Sequence, residues 1–321
     1  MGSKLLVRPR AITPGSRVAL IAPAGPLSEQ DDLTRGMELC RALGWEPVAG
    51  AHALARHGYL AGTDAERLAD LNQALTDPAI DAVWCLRGGY GLTRILDQVD
   101  SAGFARRPKP VIGFSDVTAL LVGLHEATGV VTIHGPMARA SLSPFTAGHF
   151  TRVLTDTAPP GLLAGLPAPS GILVPRAPRI VPLRGGVAEG PLSGGNLTLL
   201  TALIGTRHFP TLDGRLLFLE DVGEDLYRVD RMLAQWRMTG ALGTLAGVIV
   251  GQFPELRRGT GDGGALGFDE VLATYLRPLG VPVAYGFPIG HVDDQWTMPL
   301  GVRARLDADA GTVELLESAV G

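Results

Sequence analysis

A serine between a predicted strand and a predicted helix is the residue in this chain best placed to act as a nucleophile. Residues 111–114 are apolar enough for a buried strand, Ser115 follows at a sharp turn, and residues 118–127 read as a helix. Such a turn presents the hydroxyl clear of the backbone, and the next N–H groups lie at a helix N-terminus, where negative charge is stabilised. The alternative is a helix N-cap, which the local sequence alone favours, because Val117 stands where a nucleophile elbow usually has its second glycine.

A serine nucleophile needs a base and a group that orients the base. Residues 216–219 form a predicted buried strand that ends in Glu220 and Asp221. Either carboxylate would fix the tautomer of a histidine, although a solvated loop acid is the commoner fate. Of seven histidines, His134 follows a predicted strand and His291 lies in a long, poorly periodic loop. Loops on a rigid scaffold often carry catalytic groups, so both histidines are candidates for the base.

Two glycine-rich segments are candidates for binding. Residues 87–91 read Arg-Gly-Gly-Tyr-Gly between a strand and a helix, and residues 194–196 read Gly-Gly-Asn. The first lacks both the P-loop lysine and the dinucleotide-binding pattern, which leaves a backbone nest for an anion or a tight turn. The second is a helix start or a substrate contact.

These groups must be positioned by an alternation of strands and helices. Uninterrupted apolar strands separated by helices indicate an α/β fold with a parallel sheet covered on both faces. Reactive groups in such sheets lie beyond the C-terminal ends of the strands, where Gly88 and Ser115 both fall. The predicted strands cover 18–22, 82–86, 111–114, 130–133, 216–219 and 246–250; the helices cover 30–43, 65–75, 92–98, 118–127, 197–203 and 226–236, with a terminal hairpin in 302–316.

The length of 321 residues exceeds what one core usually holds, which predicts two domains. Prolines are dense between 159 and 182, a composition that excludes regular helix and central strand there. We therefore predict an N-terminal α/β domain over 1–150, a proline-rich linker over 151–182 and a C-terminal domain over 183–321.

The composition narrows the function classes. The net charge of −4 gives no indication of a nucleic-acid or membrane-surface partner. The two cysteines, Cys40 and Cys85, cannot form a disulfide framework or a cysteine-ligated zinc site, and no histidine pair has metal-ligand spacing. These counts and spacings predict a protein without a metal. No stretch has the length and apolarity of a signal peptide or membrane span, so we expect a cytoplasmic protein.

Taken in order, the motifs resemble those of the LD-carboxypeptidases, a family that includes the microcin-immunity peptidases. The resemblance runs nearly end to end, and the ordered set is specific although no single motif is. The motifs occupy residues 18–26, 87–91, 113–116, 134–137, 194–197, 219–221 and 290–291.

The resemblance implies a serine peptidase in which Ser115 is the nucleophile, Glu220 the orienting carboxylate and His291 the base. It also implies an oxyanion hole formed by the N–H groups of Gly88 and Asp116. The family fold is a flavodoxin-like N-terminal domain with a smaller β-rich C-terminal domain, without metal or cofactor, assembled as a homodimer. The implied reaction releases the terminal D-alanine of a small peptide, the murein tetrapeptide, during cell-wall recycling in the cytoplasm.

The substrate remains open at this point. Arg87 or a backbone nest would pair the terminal carboxylate, and Asn196 is a further candidate contact. A microcin-immunity-type peptidase, which cleaves the amide of peptidyl- or aminoacyl-adenylates, needs an aromatic surface for adenine; Trp296 is a candidate, unless it is a loop anchor packed into the core. The alternative from another class is a non-catalytic flavodoxin-like domain that binds a nucleotide or flavin.

Overall fold

Parallel strands alternating with helices form the first half of the chain in the computed structural model, which describes residues 5–166, 179–257 and 266–321. The strands are β1 (Arg17–Ile21), β2 (Glu46–Ala49), β3 (Ala82–Cys85), β4 (Val111–Gly113) and β5 (Ile133–His134). The helices are α1 (Asp31–Ala42), α2 (Asp64–Thr76), α3 (Leu92–Ile95), α4 (Ser101–Arg106), α5 (Thr118–Thr128) and α6 (Pro144–Thr155).

These five strands are parallel and lie in the order β2-β1-β3-β4-β5, which is the flavodoxin-like order. Their carboxyl ends meet at one edge, which receives the loop that follows each strand. Four of the segments were predicted as strands because uninterrupted apolar runs suit a sheet buried on both faces. β2 was not predicted, because its residues Glu46–Ala49 include a proline and only half-buried or exposed positions. It is the edge strand, where such residues are tolerated.

A second sheet with three further helices forms the remainder. Its strands run in the order β6-β14-β13-β8-β9-β10-β11-β7, and β8 to β11 are parallel. The elements of this part of the chain are β6 (Gly161–Leu162), β7 (Val181–Arg184), β8 (Val187–Asn196), α7 (Leu197–Leu203), β9 (Leu216–Glu220), α8 (Leu226–Met238), β10 (Gly247–Val250), α9 (Phe268–Leu276), β11 (Val283–Tyr285), β12 (Met298–Pro299), β13 (Arg303–Asp307) and β14 (Thr312–Leu315). Strand β12 belongs to the first sheet rather than the second.

The predicted fold class is confirmed: a mixed α/β chain with a flavodoxin-like parallel sheet and a second sheet in two domains. Residues 190–195 belong to β8, which was not among the predicted strands. Helix α1 begins after Gln30 without a side-chain cap, and the backbone N–H of Ser28 just before it donates to Asp32.

The proline-rich stretch contributes β6 and β7 at the two edges of the second sheet. Pro182 lies in β7, where an edge position tolerates the missing N–H. Residues 167–178 of this stretch lie outside the described residues. α6 continues to Thr155, past the predicted boundary at 150, and the domain limits themselves remain a prediction.

The two sheets meet along a shared seam. α5 packs against α7 and β8, and β12 leaves the C-terminal half to pair with β5 of the first sheet. At the end of β8, Gly195 has a φ of +138° and lies against Thr118, whose hydroxyl accepts the N–H of Asn196. Buried side chains of both halves form one continuous core. Over the described ranges, no helix combines the length and apolarity needed to cross a membrane.

Candidate active site

Ser115 lies at a strained turn between β4 and α5. Its φ of +59° is one of two positive values found among the non-glycine residues of the described ranges. A left-handed conformation costs an L-residue about 1–2 kcal/mol, so surrounding contacts must hold it. Gly113 allows the chain to fold back here, because a β-carbon there would lie 2.8 Å from Val117 Cγ1. Val117, which stands where such an elbow usually has its second glycine, is fully buried.

The hydroxyl of Ser115 is not used as a helix cap. No side-chain capping hydrogen bond is present at the start of α5 or of the 3-10 turn at Ser115–Val117. Within the described residues the Ser115 Oγ has no hydrogen-bond partner. The N-cap alternative is therefore not what the structure shows, and the hydroxyl is available for another role.

Glu220 and His291 form a hydrogen-bonded pair across the second sheet. Glu220 ends β9 and is fully buried, and its Oε2 lies 2.7 Å from His291 Nδ1. A carboxylate only accepts hydrogen bonds, so Nδ1 carries the hydrogen and Nε2 is left as an acceptor. The His291 side chain is 20% exposed, which leaves that second nitrogen within reach of a substrate.

The glycine before His291 makes this pairing possible. Gly290 has a φ of +93°, and a β-carbon on it would overlap the Glu220 carboxylate. Gly251 approaches from another side, where a β-carbon would lie 3.2 Å from Glu220 Cβ. The Gly-His motif is therefore required because the chain must pass directly over the buried acid.

Phe114 connects the serine turn to the histidine loop. Its ring packs edge-on against His291 at a centroid distance of 4.7 Å, and the next residue is Ser115. The structure thus brings Glu220 and His291 into direct contact and places the residue before Ser115 against the His291 ring. No hydrogen bond joins Ser115 Oγ to His291 in the described residues. Catalytic hydrogen bonds are often long in ligand-free enzymes, and they shorten when substrate binds.

His134, the rival candidate for the base, also packs against Phe114, but within the described residues no carboxylate orients it. Its ring packs against Phe114 and Phe218, it is fully buried, and neither ring nitrogen has a partner within the described residues. Burial, together with the nearby His291, lowers the pKa of His134 to about 3. It is therefore a neutral imidazole at physiological pH.

Asp221, the rival orienting acid, is engaged by groups other than the histidine. Its two oxygens accept from Asn196 Nδ2 at 2.9 Å, from the N–H and hydroxyl of Thr198 at 2.9 and 2.8 Å, and from Val222 N–H. Burial raises the pKa of Asp221, to which the charge of Glu220 adds. These contacts anchor the start of α7 to the end of β9.

The loop at 87–91 lies against the serine turn. A β-carbon at Gly88 would lie 2.9 Å from Ser115 Cβ and 3.1 Å from its Oγ. The Gly88 carbonyl accepts the N–H of Gly25 at 2.8 Å, which fixes the orientation of that part of the loop. In the described part of the chain, the N–H groups of Gly88 and Asp116 donate no hydrogen bond. Both N–H groups therefore remain candidates for the predicted oxyanion hole.

Two buried ionisable side chains, Asp116 and Arg67, bond the end of this loop at Gly91. The Asp116 carboxylate accepts the N–H of Leu92 at 2.9 Å and that of Gly91, and burial raises its pKa. The fully buried Arg67 donates from Nη1 to the carbonyls of Pro23 at 2.6 Å and Gly91 at 3.0 Å, and from Nη2 to Asp64. Sequence reasoning missed Arg67, because it resembles any polar residue on the amphipathic helix α2.

The three predicted substrate contacts differ in how accessible they are. Arg87 is partly buried and donates from Nη1 to Pro26 O and Ser28 Oγ. Asn196 is buried and caps α7 through Leu199 N–H while bonding Asp221. Trp296 is 1% exposed, packs against His149 and Phe287, and donates to Ala164 O.

Trp296 was predicted either to stack on an adenine or to anchor its loop in the core. Its burial matches the second alternative, the loop anchor. A contact of Asn196 or Trp296 with substrate remains a prediction and would require both to give up their present partners. Within the described residues, no group of three His, Cys, Asp or Glu side chains is placed to hold a metal ion.

Comparison with known proteins gives a consistent result. Residues 18–135 match the model of the LD-carboxypeptidase N-terminal domain, and residues 189–306 match that of the C-terminal domain. A putative carboxypeptidase of Streptomyces coelicolor is 43% identical over 97% of this chain and 96% of its own length. The murein tetrapeptide carboxypeptidase of Pseudomonas aeruginosa is 36% identical over 91% of this chain and 94% of its own.

The third relative is the microcin C7 self-immunity protein MccF of Escherichia coli, which is 27% identical over 98% of this chain and 96% of its own. A structure of MccF in complex with aspartyl sulfamoyl adenosine superimposes with a TM-score of 0.88 at 25% identity, covering 98% of this chain and 100% of that one. The similarity therefore extends over both domains.

Proposed function

Because the chain belongs to the LD-carboxypeptidase family, we propose that it is a serine peptidase that removes the terminal D-alanine from murein tetrapeptide by hydrolysing an L-to-D peptide bond. The observation that carries the proposal is the buried Glu220 bonded to His291 at 2.7 Å, beside the strained turn that holds Ser115. A carboxylate, an imidazole and an unpartnered hydroxyl at one seam are the parts that acyl transfer needs.

The first step is attack by the serine. His291 Nε2 takes the proton from Ser115 Oγ as the oxygen bonds to the scissile carbonyl carbon, and Glu220 stabilises the resulting imidazolium. The carbonyl oxygen becomes an oxyanion between the N–H groups of Gly88 and Asp116. Loss of one such donor typically costs about 3 kcal/mol of transition-state stabilisation.

The second step releases the products. His291 returns its proton to the departing amine of D-alanine, and the C–N bond breaks to leave an acyl-enzyme on Ser115. Water then attacks the ester carbonyl with His291 again as base, and the shortened peptide leaves with a new carboxylate. Each proton passes through His291, so the two half-reactions share one base.

Arg87 is our candidate for the group that recognises the terminal carboxylate. It lies directly before Gly88, and only its Nη1 is engaged in the described residues, by Pro26 and Ser28. Its remaining donors suit a planar carboxylate, which an arginine binds in a fork. This position would place the leaving D-alanine beside the oxyanion loop.

A second candidate function is cleavage of peptidyl- or aminoacyl-adenylates, which the similarity to MccF over both domains favours. Because Trp296 is buried, its ring offers no exposed face on which an adenine could stack. The non-catalytic binding alternative stays a third possibility, which the unpartnered Ser115 hydroxyl and the buried Glu220–His291 pair argue against.

The test is a direct comparison of substrates. Purified protein is incubated with murein tetrapeptide and, separately, with an aminoacyl-sulfamoyl adenylate, and the released amino acid is measured by mass spectrometry. We expect D-alanine release that Ser115→Ala abolishes. Cleavage of the adenylate analogue alone would favour the second function, and no cleavage of either by a folded protein would favour a binding module.

The family resemblance carries further expectations for this chain. We propose a homodimer that acts in the cytoplasm during cell-wall recycling, on a small peptide and without a metal or cofactor. Light scattering of the purified protein tests the dimer. Retention of activity after dialysis against a chelator tests the absence of a metal requirement.

A further inference from the structure

Helix α6, in the N-terminal half of the chain, holds the segment that follows His291. Thr146 lies in the first turn of this helix and is 1% exposed. Its hydroxyl donates to the carbonyl of Asp293 at 3.0 Å and accepts the N–H of Gln295 at 3.0 Å. One side chain therefore bonds both a carbonyl and an N–H of the loop that carries the proposed base, two and four residues after that base.

The residue that caps α6 also contacts this loop. Ser143 Oγ accepts the N–H of Thr146 at 3.2 Å, lies 3.3 Å from the Thr146 hydroxyl, and donates to the carboxylate of Asp294. A carboxylate at the start of a helix is stabilised there by the unpaired N–H groups of the first turn. Three consecutive residues of the loop, 293–295, thus bond the first turn of α6 and its cap.

The helix itself does not need the two bonds that Thr146 makes to the loop. The N–H of Thr146 is already accepted by Ser143, which is what an N-cap supplies. A threonine hydroxyl inside a helix commonly bonds a carbonyl one turn earlier, as Thr151 of α6 does with Ala147 at 2.8 Å. The hydroxyl of Thr146 bonds the loop instead, so what it stabilises is the position of the loop.

The stretch 291–295 has few other attachments. Among the described residues, its hydrogen bonds to other parts of the chain are those to Glu220 and to the start of α6. Its remaining hydrogen bonds stay inside the loop: the N–H of Val292 donates to Gly290 O at 2.9 Å, and Gln295 Nε2 donates to Val292 O at 3.4 Å. The buried carboxylate therefore orients the imidazole, and α6 fixes the backbone that follows it.

Helix α6 packs on the same sheet that carries the serine turn. Phe150, one turn after Thr146, is fully buried and packs on Trp84 at a ring-centroid distance of 4.9 Å. Trp84 lies in β3, where it pairs with Ile112 of β4, the strand that leads into the serine turn. The nucleophile and the backbone after the proposed base are therefore both attached to the first sheet, although the loop starts from β11 of the second.

We infer, on the basis of the proposed function, that Thr146 is a positioning residue whose hydroxyl holds the His291 loop where the imidazole can take the proton of Ser115. It acts through the backbone of the loop rather than on the substrate. Without the hydroxyl, the buried N–H of Gln295 loses its acceptor, and the loop must move to regain one. A small displacement of a catalytic group lowers the rate of the chemical step.

The kinetic test compares Thr146→Val, which keeps the shape of the side chain but removes the hydroxyl, with Thr146→Ser, which keeps the hydroxyl. We expect Thr146→Val to lower kcat for D-alanine release about tenfold while KM stays within about twofold of the wild type. Thr146→Ser should keep at least about half of the wild-type kcat, because both bonds to the loop can still form.

The matched control is Thr151→Val, which removes from the same helix a hydroxyl that bonds only within α6. It should leave kcat and KM at their wild-type values. A wild-type kcat in Thr146→Val, an equal loss in Thr151→Val, or a loss in Thr146→Ser as large as that in Thr146→Val would overturn the inference. Each of these results would leave the peptidase proposal intact.

A spectroscopic measurement tests the inference without any substrate. The ring nitrogen resonances of His291, assigned by their loss in His291→Ala, report in NMR spectra which nitrogen carries the hydrogen. The wild type and Thr146→Ser should show the hydrogen on Nδ1, bonded to Glu220, and Thr146→Val should show a mixture of tautomers. Wild-type resonances in Thr146→Val would refute the inference, whether or not the protein cleaves the tetrapeptide.

Discussion

Gly290 lies so close to Glu220 that any side chain at position 290 would occupy the space of the carboxylate. The acid is fully buried, and its Oε2 is the hydrogen-bond partner of His291. The orientation of the proposed base is therefore decided by the absence of a side chain on the residue before it.

Gly290→Ala should reduce activity by at least about a hundredfold, because the added methyl must push His291 or Glu220 out of alignment. A matched control is Gly280→Ala, which carries a similar positive φ of +76° but has nothing within 4 Å of the added carbon. The control should lose about 1 kcal/mol of stability and keep its activity. Equal activity losses in the two variants would contradict the role assigned to Gly290.

Substitutions in the proposed triad should have graded effects. Ser115→Ala and His291→Ala should each abolish D-alanine release, because each removes a reacting atom, whereas Glu220→Gln should retain more activity, because it disturbs only the tautomer and charge of the histidine. The measurement is the rate of D-alanine release by each variant. Circular dichroism of the same samples checks that the variants are folded. Activity near the wild-type level in a Ser115→Ala or His291→Ala protein would remove that residue from the mechanism.

Arg67→Met should lower kcat with little change in KM, because Arg67 fixes the loop that carries the Gly88 donor rather than the substrate. The variant should also lose affinity for a phosphonate transition-state analogue while binding the peptide product as before. Arg94→Met is the control, since Arg94 shares Asp64 but lies on the surface. Thermal unfolding of both variants is also recorded, because Arg67→Met removes a buried cation that bonds Asp64 and should lower stability. A rise in KM alone would argue against a positioning role.

His134→Phe should flatten the dependence of stability on acid pH. The pKa of His134 is lowered from 6.5 to about 3 in the folded protein, so between these values the unfolded chain binds a proton that the native state excludes. Stability therefore falls as pH falls through this window, by up to about 1.4 kcal/mol per pH unit. Phenylalanine removes this term, and it leaves no unpaired nitrogen among Phe114 and Phe218.

The measurement for His134 is the free energy of unfolding in urea at pH 7 and at pH 4.5. The variant should be at least as stable as the wild type at pH 7 and should lose less stability at pH 4.5. A wild-type slope preserved in the variant would show that another group controls the acid transition.

The first sheet could be predicted because its central strands are uninterrupted apolar runs. The strand that ends in Glu220 and the helix over 197–203 were predictable for the same reason. Strand β8 was not, because Gly190, Gly194 and Gly195 lower its strand propensity. The structure explains them: a β-carbon on Gly194 would overlap the Phe218 carbonyl of the next strand.

The catalytic candidates could be named from motifs, but their supports could not. Nothing near Arg67 in the sequence distinguishes a buried cation from a solvated one on an amphipathic helix. Its partners, Pro23 and Gly91, lie 44 and 24 residues away in the chain. Helix α6 was not predicted, although a capping Ser143 followed by Pro144 in the first turn is typical of a helix start.

The pairing of β12 with β5 has a mechanical consequence. The segment that carries His291 begins after β11 in one sheet and ends in β12, which is bonded to the other. This segment is attached to both sheets, so the proposed base, His291, would lose its alignment with Ser115 if the two sheets separated. If His291 is the base, as we propose, neither half of the chain produced alone should show activity.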